Sequence, residues 1–388
     1  MKKFFCFILS FVFILPAMFL FNTKNVSAEK ADEKMVKIEG KSSILIDFDS
    51  GEILFANNEN ERLPIASMTK IMTLLLAFEE IDAGKLNLNQ EVLVSENASG
   101  MGGSQVFLDA NTNYKLSDLI KSIVVSSAND ASVAVAELIS GSEQAFVQKM
   151  NSKAKELGLA NTNFANCTGL PAENGYSSAH DVAIMFKQLI SHDKYFEFSG
   201  IYLDTLVHPS GRETQLSNTN KLIKFYSGCD GGKTGSTNEA KFCLCATAKK
   251  AEMRVIACVI GCENSKIRNA QISNLFNFAF NNFKNKKLVD LNTQINVPIK
   301  KSSKENLIVG PEENFSLTVK NSSDDSLEIT QTVFENLTAP IKKGEKVGEI
   351  NICKNGECIK TISLVAKEDV SKTSYLDVLK SLFKAWNF

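Results

Sequence analysis

Two hydrophobic periodicities divide the chain. Residues 43–48 (Ser-Ile-Leu-Ile-Asp-Phe) read as a strand. Asp49-Ser50-Gly51 supplies turn chemistry, and residues 52–56 return as a second strand. After Pro64 the segment Ile65–Ile81 is apolar on most faces, which predicts a buried helix that Gly84 ends. Residues 116–139 predict two helices broken near Ser126-Ser127-Ala128-Asn129-Asp130, a run of good cap formers. A helix is expected over 142–158, a loop over 161–178 and another helix from His180 to about Ile190. The glycine-rich stretch 97–104 suggests a loop lying close to another part of the chain. From Cys229 the pattern turns to strands. Gly231-Gly232-Lys233-Thr234-Gly235 opens one, residues 241–247 and 253–261 form a hairpin, and a helix rich in Asn and Phe runs to about Phe283.

Beyond that point Val, Ile and Leu alternate with polar residues over 288–366, interrupted by Gly and Asn turns, as in a separate all-β unit. From Ser371 to Phe388 the spacing is helical again. Tyr375, Leu376, Leu379, Leu382, Phe383 and Trp386 share one face, and Asp377, Lys380, Ser381 and Lys384 fill the other. A wide apolar face opposite lysines, too short to span a bilayer, suits a helix lying on a membrane surface.

The N-terminus changes the compartment. Lys2 and Lys3 precede an apolar run from Phe4 to Phe21, and Val26-Ser27-Ala28 provides a small-residue cleavage site. We place a signal peptide at 1–28, so the remainder is exported. With 388 residues the chain has room for two domains. Its formal net charge of -1 gives no electrostatic case for nucleic-acid binding. The eight cysteines beyond Cys6 do not form a disulfide scaffold, and Cys243, Cys245 and Cys258 read as buried thiols in strands. Cys353 and Cys358 flank Lys354-Asn355-Gly356-Glu357. Asn-Gly is a strong hairpin signal and would oppose the two sulfurs for a disulfide. Three histidines and no Cys/His cluster of zinc spacing predict no metal, and no cofactor is expected.

Three short motifs carry chemistry. In Ser67-Met68-Thr69-Lys70 the two ends share a helix face, so Lys70 can reach the Ser67 hydroxyl. A serine needs a base to take its proton, and a lysine in an apolar helix loses solvation of its charged form, which suits it to that role. In Ser127-Ala128-Asn129 a hydroxyl and an amide can point into one cleft from the break between two helices. Lys233-Thr234-Gly235 offers a cation and a hydroxyl to a carboxylate, with a glycine that admits a close backbone. Each motif alone is weak. Together, in this order, they are the set of penicillin-binding proteins and class A β-lactamases.

With these motifs, residues 30–370 resemble the low-molecular-mass penicillin-binding proteins of the D-alanyl-D-alanine carboxypeptidase type, serine peptidase family S11. Tyr176-Ser-Ser-Ala-His-Asp181, Asn218-Thr-Asn220 and Ala339-Pro-Ile-Lys-Lys-Gly344 also match. The resemblance implies a β-lactamase/transpeptidase-like α/β (α+β) catalytic domain over 29–284, an antiparallel sheet flanked by helices. A small all-β domain would follow at 285–368, and an amphipathic anchoring helix at 369–388. It implies that Ser67 forms an acyl-enzyme, Lys70 is the base and Ser127 relays a proton. Asn129, Lys233, Thr234 and Gly235 would hold substrate, with backbone N–H groups of Ser67 and Ser236 as oxyanion donors. The implied partners are peptidoglycan stem peptides ending in D-Ala-D-Ala, β-lactams as inhibitors, and the outer face of the cytoplasmic membrane in the cell-wall compartment. Some relatives carry histidine where Ser236 and Thr168 stand here.

Two other functions share these residues. A β-lactamase-like hydrolase of class A adds a glutamate that activates the deacylating water. No acidic residue lies between Leu159 and Leu170, where that loop would fall. A non-catalytic binder of cell-wall peptide would have no need of Ser67, Lys70 and Lys233 together.

Overall fold

The computed structural model describes residues 38–323 and 325–375. The signal-peptide cleavage site and all but the first residues of the C-terminal helix lie outside them.

The chain opens with strands β1 (Ser42–Asp47) and β2 (Ile53–Asn57), paired antiparallel across the turn expected at Asp49-Ser50-Gly51. The Asp47 carboxylate accepts the Ser50 N–H at 2.7 Å, an aspartate turn that sets their register. The long apolar segment does not begin as an α-helix. Ala66–Thr69 is a 3-10 turn, and helix α1 runs Lys70–Asp82. The periodicity had placed Ser67 inside the α-helix. Two close backbone approaches, described below, wind its first turn tighter. The rest of the expectation holds: Lys70, Leu74, Leu75, Leu76 and Phe78 are all buried, and each large apolar side chain so buried contributes about 1.5–3 kcal/mol. Gly84 follows at φ 71.

Strand β3 (Glu91–Val94), the short helix α2 (Glu96–Ser99) and strand β4 (Thr112–Lys115) lead into helices α3 (Leu116–Ser126) and α4 (Asn129–Ser140). The break between them is Ser127, which caps α3 in the left-handed region at φ 61. Helices α5 (Glu143–Glu156) and α6 (Ala179–Leu189) each start on a serine whose side chain accepts a backbone N–H of the first turn, Ser142 and Ser178. After α7 (Phe196–Ser199) come the hairpin β5 (Leu203–Val207) and β6 (Glu213–Ser217), and α8 (Leu222–Phe225).

Strands β7 (Cys229–Thr237), β8 (Lys241–Lys250) and β9 (Met253–Cys262) complete an antiparallel sheet in the order β2-β1-β9-β8-β7. Strand β7 begins at Cys229 rather than at the glycines, so Lys233-Thr234-Gly235 lies within the strand and not at its start. It is an edge strand. Helix α9 (Ser265–Asn282) packs on the opposite face of the sheet from α1 and α6. Leu275 and Phe276 join Leu244 and Val259 in one core cluster, while Phe78 and Phe186 join Cys245 and Ile256 in the other. Cys243, Cys245, Cys258 and Cys262 are buried free thiols.

A second unit is all β. Strands β10 (Phe283–Val289) and β13 (Phe315–Lys320) pair separately from β11 (Ile295–Pro298), β12 (Asn306–Pro311), β14 (Leu327–Val333), β15 (Lys346–Lys354) and β16 (Glu357–Ala366). Its core is the alternating set Leu307, Val309, Ile350, Ile352, Ile362 and Leu364. Asn355 and Gly356 take positive φ at the β15–β16 turn, as the hairpin signal requires, and Cys353 and Cys358 are directly opposed and joined by a disulfide.

Candidate active site

Ser67, Lys70, Ser127, Asn129, Lys233, Thr234 and Thr219 meet in one cleft between the helices and the β7 edge of the sheet. The cleft is built by the Ser67 turn, which is clamped on two sides. A Cβ at Gly235 would lie 2.3 Å from the Ile65 carbonyl oxygen, so strand β7 approaches the turn backbone to backbone. A Cβ at Gly169 would lie 2.0 Å from the Ala66 carbonyl oxygen, and Gly169 also sits at φ 79. Ala66 itself is held at φ 48. No side chain fits at either glycine, and the two contacts fix Ser67 half-exposed at the cleft floor.

Lys70 lies one turn on and is fully buried. Its Nζ is 3.1 Å from Ser67 Oγ, 2.6 Å from Asn129 Oδ1 and 2.6 Å from the Thr168 carbonyl oxygen. The Asn129 amide orientation is settled by its other end, where Nδ2 donates to the Gly102 carbonyl at 2.7 Å. The loop expected over 97–104 begins only after α2 ends at Ser99, and its Gly102 carbonyl lies against Asn129. Burial lowers the Lys70 pKa to about 7, against smaller opposing contributions from Cys167 and Asp130. These contacts decide the chemistry. A neutral amine has two N–H bonds and one lone pair. As an ammonium Lys70 donates to all three oxygens, Ser67 Oγ included; as a neutral amine, with its N–H bonds to the two carbonyl oxygens, its lone pair would face the Ser67 hydroxyl.

Lys233 is also fully buried, and its Nζ donates to Ser127 Oγ at 2.7 Å. Burial drives its pKa well below lysine's usual range, and the charge of Lys70 adds to that. A carboxylate arriving beside it would favour the charged form. Along β7 the two-residue period places Lys233 and Gly235 on one face. The lysine reaches Ser127, and the glycine leaves room for the Ser67 turn. Thr234 Oγ1 donates to Thr219 Oγ1 at 2.8 Å. Ser236, the next residue but one, is exposed at the mouth.

Sequence reasoning missed several supporting residues. Asn166 Oδ1 accepts N–H bonds from Thr168 at 3.2 Å and Gly169 at 2.7 Å, folding the loop so that the Thr168 carbonyl points at Lys70. Asp130 accepts the N–H groups of Val106, Leu108 and Ala131 and so ties the 100–108 loop to α4; burial raises its pKa nonetheless. Thr219 lay within a matching stretch but was not singled out. Asn and Asp within three residues of a glycine or a helix start are the available signal, and it is common enough to point nowhere by itself. Among the described residues no group of three or more His, Cys, Asp or Glu side chains could hold a metal ion.

Residues 25–264 match the peptidase S11 family, D-alanyl-D-alanine carboxypeptidase. The chain belongs to this family. Residues 283–372 match the C-terminal domain of penicillin-binding protein 5. Among individual S11 proteins, the D-alanyl-D-alanine carboxypeptidase DacF of Bacillus subtilis is 45% identical over 350 residues, 90% of each chain. The D-alanyl-D-alanine carboxypeptidase DacA of Escherichia coli is 30% identical over 393 residues, 94% of each chain. The crystal structure of penicillin binding protein 5 from Haemophilus influenzae superposes with a TM-score of 0.71 at 30% identity, covering 87% of this chain and 98% of that one. The S11 fold, an antiparallel sheet between helices followed by an all-β domain, is the one observed here.

Proposed function

We propose that this S11 enzyme removes the terminal D-alanine from peptidoglycan stem peptides through an acyl-enzyme on Ser67. The observation that carries the proposal is the placement of the buried Lys70 Nζ, 3.1 Å from Ser67 Oγ and 2.6 Å from each of two carbonyl oxygens. With both N–H bonds committed to Asn129 Oδ1 and the Thr168 carbonyl, the free base is aimed at one hydroxyl.

The remaining roles follow from position. The substrate adds to the edge of β7 as an antiparallel strand. Its C-terminal carboxylate meets Lys233 and the Thr234 hydroxyl, whereas Gly235, expected to admit the substrate backbone, has its Cβ space taken by the Ile65 carbonyl and admits the Ser67 turn instead. The scissile carbonyl oxygen takes the backbone N–H groups of Ser67 and Ser236. Because that contribution is a backbone donor, serine in place of histidine at 236 leaves it intact. Lys70 removes the Ser67 proton as the C–O bond forms. The tetrahedral intermediate then collapses, and the departing D-alanine nitrogen receives a proton through Ser127, which Lys233 holds at 2.7 Å. Water then attacks the acyl-enzyme, and Ser67 recovers its proton. Asn129 contributes at both stages by fixing Lys70 and offering its amide to the donor peptide.

A β-lactam would acylate the same serine and leave slowly. The loop over 161–178 presents Lys70 with the Thr168 carbonyl, which cannot take a proton from water as a glutamate can. The apolar face of the C-terminal segment, with Phe383 and Trp386 opposite Lys380 and Lys384, supports placement on the outer face of the cytoplasmic membrane. Among the described residues no helix is long and apolar enough to cross a membrane.

The direct assay is D-alanine release from diacetyl-L-lysyl-D-alanyl-D-alanine. The full chain is expected to release it, and the Ser67→Ala variant to show no release above the uncatalysed rate. Equal release by both proteins would refute the proposal.

A further inference from the structure

Beside the Ser67 turn lies a small open cleft that the reaction steps above do not use. It is lined by Ala66 and Thr69, by residues of the 163–176 loop, and by Thr237 and Glu239. Ile65, Leu170 and Pro171 give it an apolar side. Glu239 is the one charged side chain among the described lining residues, and it is exposed.

Among the described residues no cation forms an ion pair with its carboxylate. Lys241, paired across the strands with Thr237, is turned toward Glu263 at 3.9 Å. Arg62 is committed to the Asn161 side chain and the Ala160 carbonyl and lies over the Tyr176 ring. An unpaired carboxylate beside an apolar slot suits a ligand group made of methylenes ending in an ammonium.

The course of the substrate brings such a group there. A peptide laid antiparallel on β7, with its C-terminal carboxylate at Lys233 and Thr234, runs past Ser236 and Thr237 toward its own N-terminus. At about 3.3 Å per residue, the third residue from its C-terminus is level with the end of β7. We infer that this cleft is a specificity subsite, in which Glu239 binds the free side-chain amine of the diamino acid preceding D-alanyl-D-alanine. The inference rests on the proposed carboxypeptidase reading and names the acyl donor it prefers.

Two substrates differing only in that amine test it with the full chain: Nα-acetyl-L-lysyl-D-alanyl-D-alanine, and the same peptide with the ε-amine acetylated. The free-amine substrate is expected to have a kcat/KM about fivefold higher, carried mainly by KM and shrinking at high salt, as befits a solvent-exposed ion pair. In Glu239→Gln the ratio should fall to about one, and in Glu239→Lys below one. Equal kcat/KM for both substrates with the unaltered protein would overturn the subsite. So would a preference that Glu239→Gln retains. Release of D-alanine from neither peptide would instead overturn the carboxypeptidase reading on which the subsite stands.

Discussion

Replacing Lys70 with methionine is expected to lower kcat/KM for D-alanine release by about a thousandfold, the scale of losing a positioned general base. Methionine keeps an unbranched chain of similar length in a fully buried site, with sulfur in place of one methylene and no amine. Arginine at the same position keeps the charge, but a guanidinium cannot be deprotonated in a protein. Lys70→Arg should therefore be as inactive as Lys70→Met, although it preserves the cation. That pairing separates a base from a purely electrostatic role. The pH dependence gives the same distinction without a mutation. The proposed base is the neutral form of Lys70, whose pKa burial lowers to about 7. Below that pH the neutral fraction falls about tenfold per unit, so the acylation rate should fall with it, and above it the rate should level off. A rate independent of pH between about 5 and 8, or Lys70→Met within tenfold of the unaltered enzyme, would exclude this role.

The second large effect is expected at a residue that carries no side chain. Gly169→Ala places a methyl group where the Ala66 carbonyl oxygen stands 2.0 Å away, and forces a side chain onto φ 79. The obstacle is backbone and cannot swing aside. Either the Ser67 turn or the 166–170 loop must move, and the loop carries the Thr168 carbonyl that orients Lys70. We expect about 3 kcal/mol of lost stability, seen as a thermal transition lower by roughly 5–10 °C. Acylation by fluorescent penicillin should slow at least tenfold in protein that remains folded. Gly175→Ala provides the control in the same loop, since its Cβ would meet nothing closer than 3.5 Å. Equal acylation rates for the two variants would show that the clamp does not position Ser67.

Gly169 also shows where sequence reading ended. Ser67, Lys70, Ser127 and Lys233 were legible because each carries a chemical group, and the three motifs stand in an order that restricts their meaning. The apolar run around Lys70 was legible for the same reason that the lysine is perturbed: nothing near it solvates a charge. Residues acting through the backbone left no such mark. The Thr168 carbonyl could belong to any residue type. Asn166 serves it by accepting two successive N–H groups, an ordinary turn habit of asparagine. Gly169 and Gly235 matter for contacts with Ala66 and Ile65, which are distant in sequence, and the helical period of 65–81 carries no trace of them. That is why the turn bearing Ser67 was expected as α-helix and is 3-10. Strand β7 was recognised but opened at Gly231 instead of Cys229, because two glycines carry no side-chain alternation that would show the strand continuing through them. The β unit was easier. Alternation over 288–366 reports which face is buried, and Asn355-Gly356 sets the register of its longest hairpin.

The central claim is that Ser67 is the nucleophile of a D-alanine-releasing enzyme that a β-lactam blocks. The most direct test is to incubate the full chain with benzylpenicillin, digest it and locate the adduct by mass spectrometry. The account predicts one penicilloyl group per chain, on Ser67 and persisting through digestion. An adduct on any other residue, or an acyl group shed by rapid turnover of the drug, would contradict it.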